Sequence, residues 1–126
     1  MEKNNEKSGR YSYEKLSRVI HEKARLSIMT SLLSYKQGIS FNDMKELCAL
    51  SDGNLSRHLT VLEEAKLVNV LKIFEGKRPK TIYTLTKEGE AQFIEYLSEL
   101  ENIVHDVRKA AKTTVRDARR IATSTA

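Results

Sequence analysis

Residues 51–64 read "SDGNLSRHLTVLEE". At about 100° per residue, Leu55, Leu59 and Leu62 fall within roughly 60° of one another and predict the buried stripe of a helix. The opposite face carries Gly53, Arg57, Thr60 and Glu64, flanked by Asn54, Ser56 and Val61. Ser51 has the chemistry of an N-cap, because its hydroxyl can accept from a free N–H of the first turn. Gly53 in that turn costs up to about 1 kcal/mol against alanine. What it offers is bare backbone beside the helix N-terminus, where N–H groups and the dipole favour a phosphate. Arg, Asn, Ser and Thr on one face can read base edges in a DNA major groove or hold its phosphates. His58 lies at the border of the leucine stripe and reads as a packing histidine rather than a base reader. Glu63 and Glu64 point about 100° apart and read as a solvated helix end rather than an acid–base pair.

The preceding stretch, "ISFNDMKELCAL" (39–50), repeats the pattern. Ser40 is the N-cap, Asp43 follows three residues later, and Ile39 with Met44 can form a hydrophobic staple. Leu50 with Leu55 is a second such pair. A short helix over 41–49 followed at once by the helix of 51–65 is a helix-turn-helix. On the other side, "LVNVLKIF" (67–74) and "KTIYTL" (80–85) are rich in β-branched and aromatic residues and are joined by "EGKRP", which predicts a hairpin over 67–85. Lys72, Lys77, Arg78 and Lys80 face a single Glu75 around its tip, and Pro79 stiffens it. Beside a helix-turn-helix such a hairpin reads as a wing that touches sugar-phosphate. By itself it reads equally well as a solvated hairpin whose lysines protect its edge.

Upstream, Leu16, Val19, Ile20, Leu26, Ile28, Met29, Leu32 and Leu33 recur at helical spacing and predict a helix from about Tyr13 to Leu33. It is expected to kink near His21–Lys23, where the stripe shifts, and to stop at Gly38. Residues 1–11 are polar and are expected to be a disordered tail. Downstream, Thr86 can cap a long final helix. Phe93, Leu97, Leu100, Val104, Val107 and Ala111 are spaced 4, 3, 4, 3, 4, a heptad stripe. The core domain is thus read as 12–107. Its final helix is longer than a small domain needs to cover its own core, so the stripe predicts a homodimer seam; the alternative is that it folds back on the first helix. Residues 108–126 form a basic extension. Arg108, Lys109, Lys112, Arg116, Arg119 and Arg120 stand there against Asp117, with Val115, Ala118 and Ile121–Ala122 weakly apolar. It reads as a basic arm on DNA phosphates or as a solvated tail.

Composition narrows the function. The chain has 126 residues, a formal charge of +5 and an isoelectric point near 9.4, which suits a polyanionic partner where the basic groups cluster. The lone Cys48 excludes an internal disulfide framework and a Cys-pair zinc site, and reads as a small core residue. His21, His58 and His105 fall on different elements, so no metal site is expected. No phosphate loop, nucleophile elbow or convergent carboxylate pair is visible, so neither an enzyme nor a cofactor is expected. The charged N-terminus has no apolar core and no stretch approaches the roughly 20 apolar residues of a spanning helix, so a cytoplasmic location without a membrane partner is expected.

These residues together resemble the winged-helix regulators of the ArsR/MarR superfamily. The resemblance rests on Phe41, Leu47, Leu50, the run Asp52 to Leu59, Leu62-Glu63, Leu67-Val68, Gly76, Arg78-Pro79, Thr81, Tyr83, Leu85-Thr86 and Gly89, and covers about residues 17–100. "HEKARLSIMTSLL" resembles the family's first core helix without the usual proline near its start. Metal-sensing relatives carry paired cysteines or a His/Asp set on the last helix, whereas here His105-Asp106 stand without a second histidine. The resemblance implies a dimer that binds double-stranded DNA and regulates transcription. The expected fold is mainly α with a small β-hairpin, an α+β winged helix-turn-helix with a long C-terminal dimerisation helix. The expected DNA contacts are Ser51, Gly53, Asn54, Ser56, Arg57 and Thr60 from the recognition helix and Lys77, Arg78 and Lys80 from the wing. A repressor that occludes promoter DNA is the leading reading. A winged-helix protein-interaction adaptor is the alternative, and no residue pattern names a small-molecule effector.

Overall fold

A computed structural model describes residues 8–124, with the side chains of 115, 118 and 121–124 outside the described set. The elements in order are α1 (Lys23–Ser34), β1 (Ile39–Ser40), α2 (Phe41–Cys48), α3 (Asp52–Glu64), β2 (Val68–Glu75), β3 (Arg78–Leu85) and α4 (Lys87–Ser124). The strands form one antiparallel sheet in the order β1-β3-β2. This is a winged helix-turn-helix with a long C-terminal helix.

The first helix is shorter than its apolar spacing predicts. It starts only at Lys23, with Glu22 as its N-cap: the carboxylate accepts from the backbone N–H of Arg25 at 2.9 Å. Tyr13 sits at φ 47, a left-handed backbone that no helix can continue. Residues 13–22 instead run as turns, and Ile20 reaches the core fully buried from there. The position read as a kink is therefore the true helix start. The other end is Ser34, and Gly38 at φ +112 makes the turn into β1. Of the segment read as a disordered tail, residues 1–7 lie outside the described residues, and 8–11 form a turn from which Arg10 reaches Asp106.

The helix-turn-helix forms as its caps predict. The Ser40 hydroxyl accepts from Asp43 N–H and the Ser51 hydroxyl from Asn54 N–H, both at 3.2 Å. Between the helices Ala49 takes a left-handed φ of 52. Leu50 N–H then donates to Lys45 C=O and Ala49 N–H to Glu46 C=O, closing the end of α2. Lys45 pairs with Asp52 across this turn at 2.9 Å.

The core gathers Ile28, Met29 and Leu32 of α1, Met44 of α2, Leu55, Leu59 and Leu62 of α3, and Phe93 and Tyr96 of α4. Half-buried Cys48 packs against it, its thiol 3.6 Å from the Ser31 hydroxyl. The hairpin is longer and its tip tighter than "EGKRP" implies. Ladder pairing continues through Phe74–Pro79 to Glu75–Arg78, so Pro79 lies within β3 and the turn is Gly76-Lys77 alone. Gly76 has φ +66, which a two-residue hairpin turn needs at its first position and glycine adopts without strain. The strand β1 pairs Ile39 with Tyr83 and Ser40 with Ile82. Thr86 caps α4 as expected: its hydroxyl accepts from Gly89 N–H and donates to Lys66 C=O, both at 2.8 Å.

The helix α4 runs without a break through the expected boundary at 107/108 to Ser124, a length of about 57 Å for 38 residues. Phe93 departs from the expected seam. It is 1% exposed and stacked near Tyr96 inside the chain's own core, so it has no surface left for a partner. Leu97 and Leu100 pack partly against that core, whereas Val104 and Val107 are exposed. The weakly apolar positions Val115, Ala118 and Ile121–Ala122 lie outside the described side chains.

Candidate nucleic-acid interface

Burial divides α3 along its length. Leu55, Leu59 and Leu62 are 0–1% exposed, and they fix the helix by the stripe that the sequence showed. The other face presents Gly53, Asn54, Ser56, Arg57 and Thr60, all exposed. Arg57 has no hydrogen bond or ion pair with any described residue, so its five donors are available to a ligand. The remaining polar groups are partly committed. The Ser51 hydroxyl is used in capping, and the Thr60 hydroxyl donates to Ser56 C=O at 2.9 Å. Thr60 therefore offers acceptor lone pairs and its methyl more readily than a donor.

Gly53 has open space around it. A Cβ built there would meet no atom within 4 Å, so nothing within the chain requires a glycine. We expect Gly53→Ala to leave thermal stability unchanged or raise it, by at most about 1 kcal/mol from helix propensity. Duplex affinity, measured by fluorescence anisotropy, should fall. Unchanged affinity would show that nothing approaches this turn closely.

His58 belongs to the packing side and is 8% exposed. Its Nδ1 lies 3.2 Å from Arg25 Nη1 and 3.6 Å from Glu22 Oε2. A guanidinium has only donors, so in the Arg25 contact Nδ1 accepts. Arg25 also donates to Val19 C=O. One arginine thus ties α3, the start of α1 and the turns before it together. Partial burial pushes the Glu22 carboxyl up, but the backbone N–H groups of Arg25 and Ala24 and the nearby Arg25 guanidinium outweigh it and hold the group below its usual value.

At the wing Lys77 and Arg78 are exposed at the tip. Lys80 is less free, being paired with Glu75 at 3.4 Å. Phe74, opposite Pro79, is 75% exposed, and Leu71 and Ile73 on the same strand are also exposed. Reading the strand by composition alone left this apolar surface unnoticed; the pairing register shows that β2 runs past the core, which ends near Val70.

A second polar cluster was not foreseen. Residues 8–22 lie against α4, where Arg10 and Tyr13 both bind Asp106, at 3.1 and 2.8 Å, and His21 Nδ1 meets the buried Tyr96 hydroxyl at 2.6 Å. Hydrogen bonds from Arg10 and Tyr13 hold the Asp106 carboxyl below its usual value. Among the described residues no group of three His, Cys, Asp or Glu is placed to hold a metal ion, and no helix is long and apolar enough to cross a membrane.

Comparison with known proteins agrees with this geometry. A family model described as a winged helix DNA-binding domain matches residues 24–104. An uncharacterised protein of Methanocaldococcus jannaschii is 35% identical over 83 residues, covering 66% of this chain and 89% of that one. Among solved structures, a transcriptional regulator homologue from Pyrococcus horikoshii superposes with a TM-score of 0.68 at 30% identity, covering 72% of this chain and 89% of that one. The MepR–DNA complex of S. aureus shares the fold at 18% identity and a TM-score of 0.64, covering 90% and 91%.

Proposed function

Since the chain belongs to the winged helix DNA-binding domain family, we propose that it is a sequence-specific duplex-DNA-binding regulator of transcription. It acts as a homodimer in the cytoplasm and represses by occluding promoter DNA. The observation that carries this reading is the face of α3. An arginine bonded to no described residue stands among short polar residues on a helix held from behind by three buried leucines. Such a face enters the major groove, and a two-fold dimer presents two copies of it to a pseudo-palindromic site. In this reading Asn54, Ser56, Arg57 and Thr60 meet base edges, Ser51 and Gly53 admit a phosphate at the helix start, and Lys77, Arg78 and Lys80 hold the backbone from the wing. The MepR–DNA complex supports the placement at the level of the fold.

The seam of the dimer is Leu97, Leu100, Val104, Val107 and Ala111, with exposed Ile94 in place of Phe93. Selection of bound fragments from genomic DNA tests the whole reading, because it returns the motif and its half-site spacing together. Absence of an enriched two-fold motif would overturn it. The wing has its own test. Lys77→Ala should weaken binding to every sequence alike and flatten the dependence of log affinity on log salt by about one unit. An unchanged slope would remove Lys77 from the interface. The adaptor reading draws on exposed Leu71, Ile73 and Phe74 and requires that no salt-sensitive duplex binding be found.

A further inference from the structure

The pairing register sorts the exposed apolar residues of the wing onto two faces. Side chains alternate along a strand, and residues paired across a ladder share a face. The pairs Val68–Leu85 and Val70–Tyr83 lie on the face that packs on the core, and Phe74–Pro79 continues that face at the far end. Leu71 and Ile73 lie on the reverse, together with the Glu75–Lys80 ion pair. Phe74 therefore does not belong to one patch with Leu71 and Ile73. It is 75% exposed, more than any other large apolar side chain among the described residues, and its ladder partner Pro79 is exposed as well.

The hairpin carries this pair clear of the fold. The core ends near Val70, and Leu71 to Glu75 add about 16 Å of strand at roughly 3.3 Å per residue. Paired cations surround the tip. Lys72, Lys77, Arg78 and Lys80 against Glu75 leave residues 72–80 at a net +3. Size and charge together select the occupant. A protein partner needs on the order of 800 Å² of contiguous surface, and one ring backed by a proline is far less than that. A duplex offers a slot one side chain wide between two stacked base pairs, with phosphates on either side. Apolar wedges such as phenylalanine enter that slot from the minor groove and kink the duplex.

We propose that Phe74, backed by Pro79, is an apolar wedge that enters the minor groove beside each half-site, opens one base step and bends the DNA. The proposal rests on the duplex-binding reading above and adds to it a residue, a deformation and a second source of specificity. Lys77 and Arg78, exposed at the tip, hold the phosphates while the ring stands in the step. Opening a step is easiest at TA and CA/TG, which kink and unstack readily. The protein therefore prefers such a step in the flank of each half-site, at base pairs that α3 does not read.

The test uses the full chain and an operator obtained by selection. The bend is measured by energy transfer between dyes at the two duplex ends, and unstacking by the fluorescence of 2-aminopurine placed step by step through the flank. Wild type should bend the duplex and brighten the probe at one step. Phe74→Ala should lose both signals and bind about tenfold more weakly, the worth of one aromatic stacked on a base. Its salt dependence should stay unchanged, because no charge is removed. Phe74→Leu, still a wedge, should keep most of the bend. Thermal melts should be alike for all three, since the ring is mostly in water. Specific binding with the same bend and probe signal in Phe74→Ala assigns the ring to another occupant, such as a protein surface, and overturns the wedge while the regulator stands. Weaker binding of Phe74→Ala with an unchanged bend shows a ring that only stiffens the hairpin, and also overturns it. Absence of specific duplex binding by wild type overturns the regulator and the wedge together.

Discussion

Replacing Arg57 by alanine is expected to lower operator affinity by about 1–3 kcal/mol per half-site, or roughly 5- to 150-fold, if its guanidinium reads a guanine. The fold should not change, because Arg57 is exposed and bonded to no described residue. Thermal melts of the variant therefore serve as the control. Specificity is the sharper readout. A base reader that is lost relaxes discrimination at one position of each half-site, whereas a lost phosphate contact weakens all sequences equally. Arg57→Lys separates the two further. It keeps the charge but loses the planar fork, so a phosphate contact would survive largely intact and a bidentate base contact would not. Anisotropy titrations of the three proteins against the operator and its single-base variants decide the matter. Equal affinity and equal specificity for Arg57→Ala would remove α3 from the groove.

What the sequence disclosed about this face follows from how local its causes are. Ser40 and Ser51 cap helices within three residues of themselves, and Leu55, Leu59 and Leu62 form a stripe by spacing alone. Both features survived into the structure because no distant contact competes with them. The segment before α1 is the opposite case. Leu16, Val19 and Ile20 have helical spacing, yet the chain turns there, because Glu22 caps the helix and Arg10, Tyr13 and His21 are held by α4, some 75 to 96 residues away. Nothing in the spacing records those partners. The two-residue β1 was equally silent: it exists only through its pairing with Ile82 and Tyr83. On α4 the heptad period marked the apolar face correctly but could not say which chain covers it. The side-chain surroundings decide that Phe93 and Tyr96, one of them off the stripe, belong to the chain's own core.

The largest effect on stability is expected from Gly89→Ala. In the first turn of α4, a Cβ at this position would lie 2.1 Å from the carbonyl oxygen of Leu67 and 2.9 Å from its carbonyl carbon. Both neighbours are backbone, so no side chain can swing aside. That carbonyl also accepts from Thr86 N–H at 3.0 Å, and the Thr86 hydroxyl in turn caps Gly89. Relieving the clash therefore means pulling α4 away from the α3–β2 junction and lengthening bonds that start the helix. Overpacking of this kind costs about 3 kcal/mol, at the upper end of its usual range. The melting temperature should fall by about 10 °C, since each kcal/mol moves a domain of this size by several degrees. Circular dichroism melts or urea titrations measure it. The comparison with Gly53→Ala isolates the cause, because the same methyl is added in the first turn of a helix in both variants. Where it meets open space the fold should be unaffected and only the DNA lost. Where it meets the Leu67 backbone the fold itself should loosen, and with it the angle at which α4 leaves the winged domain. Wild-type stability in Gly89→Ala would show that the close approach of α4 to Leu67, and hence the placement of the helix that carries the proposed dimer, is wrong.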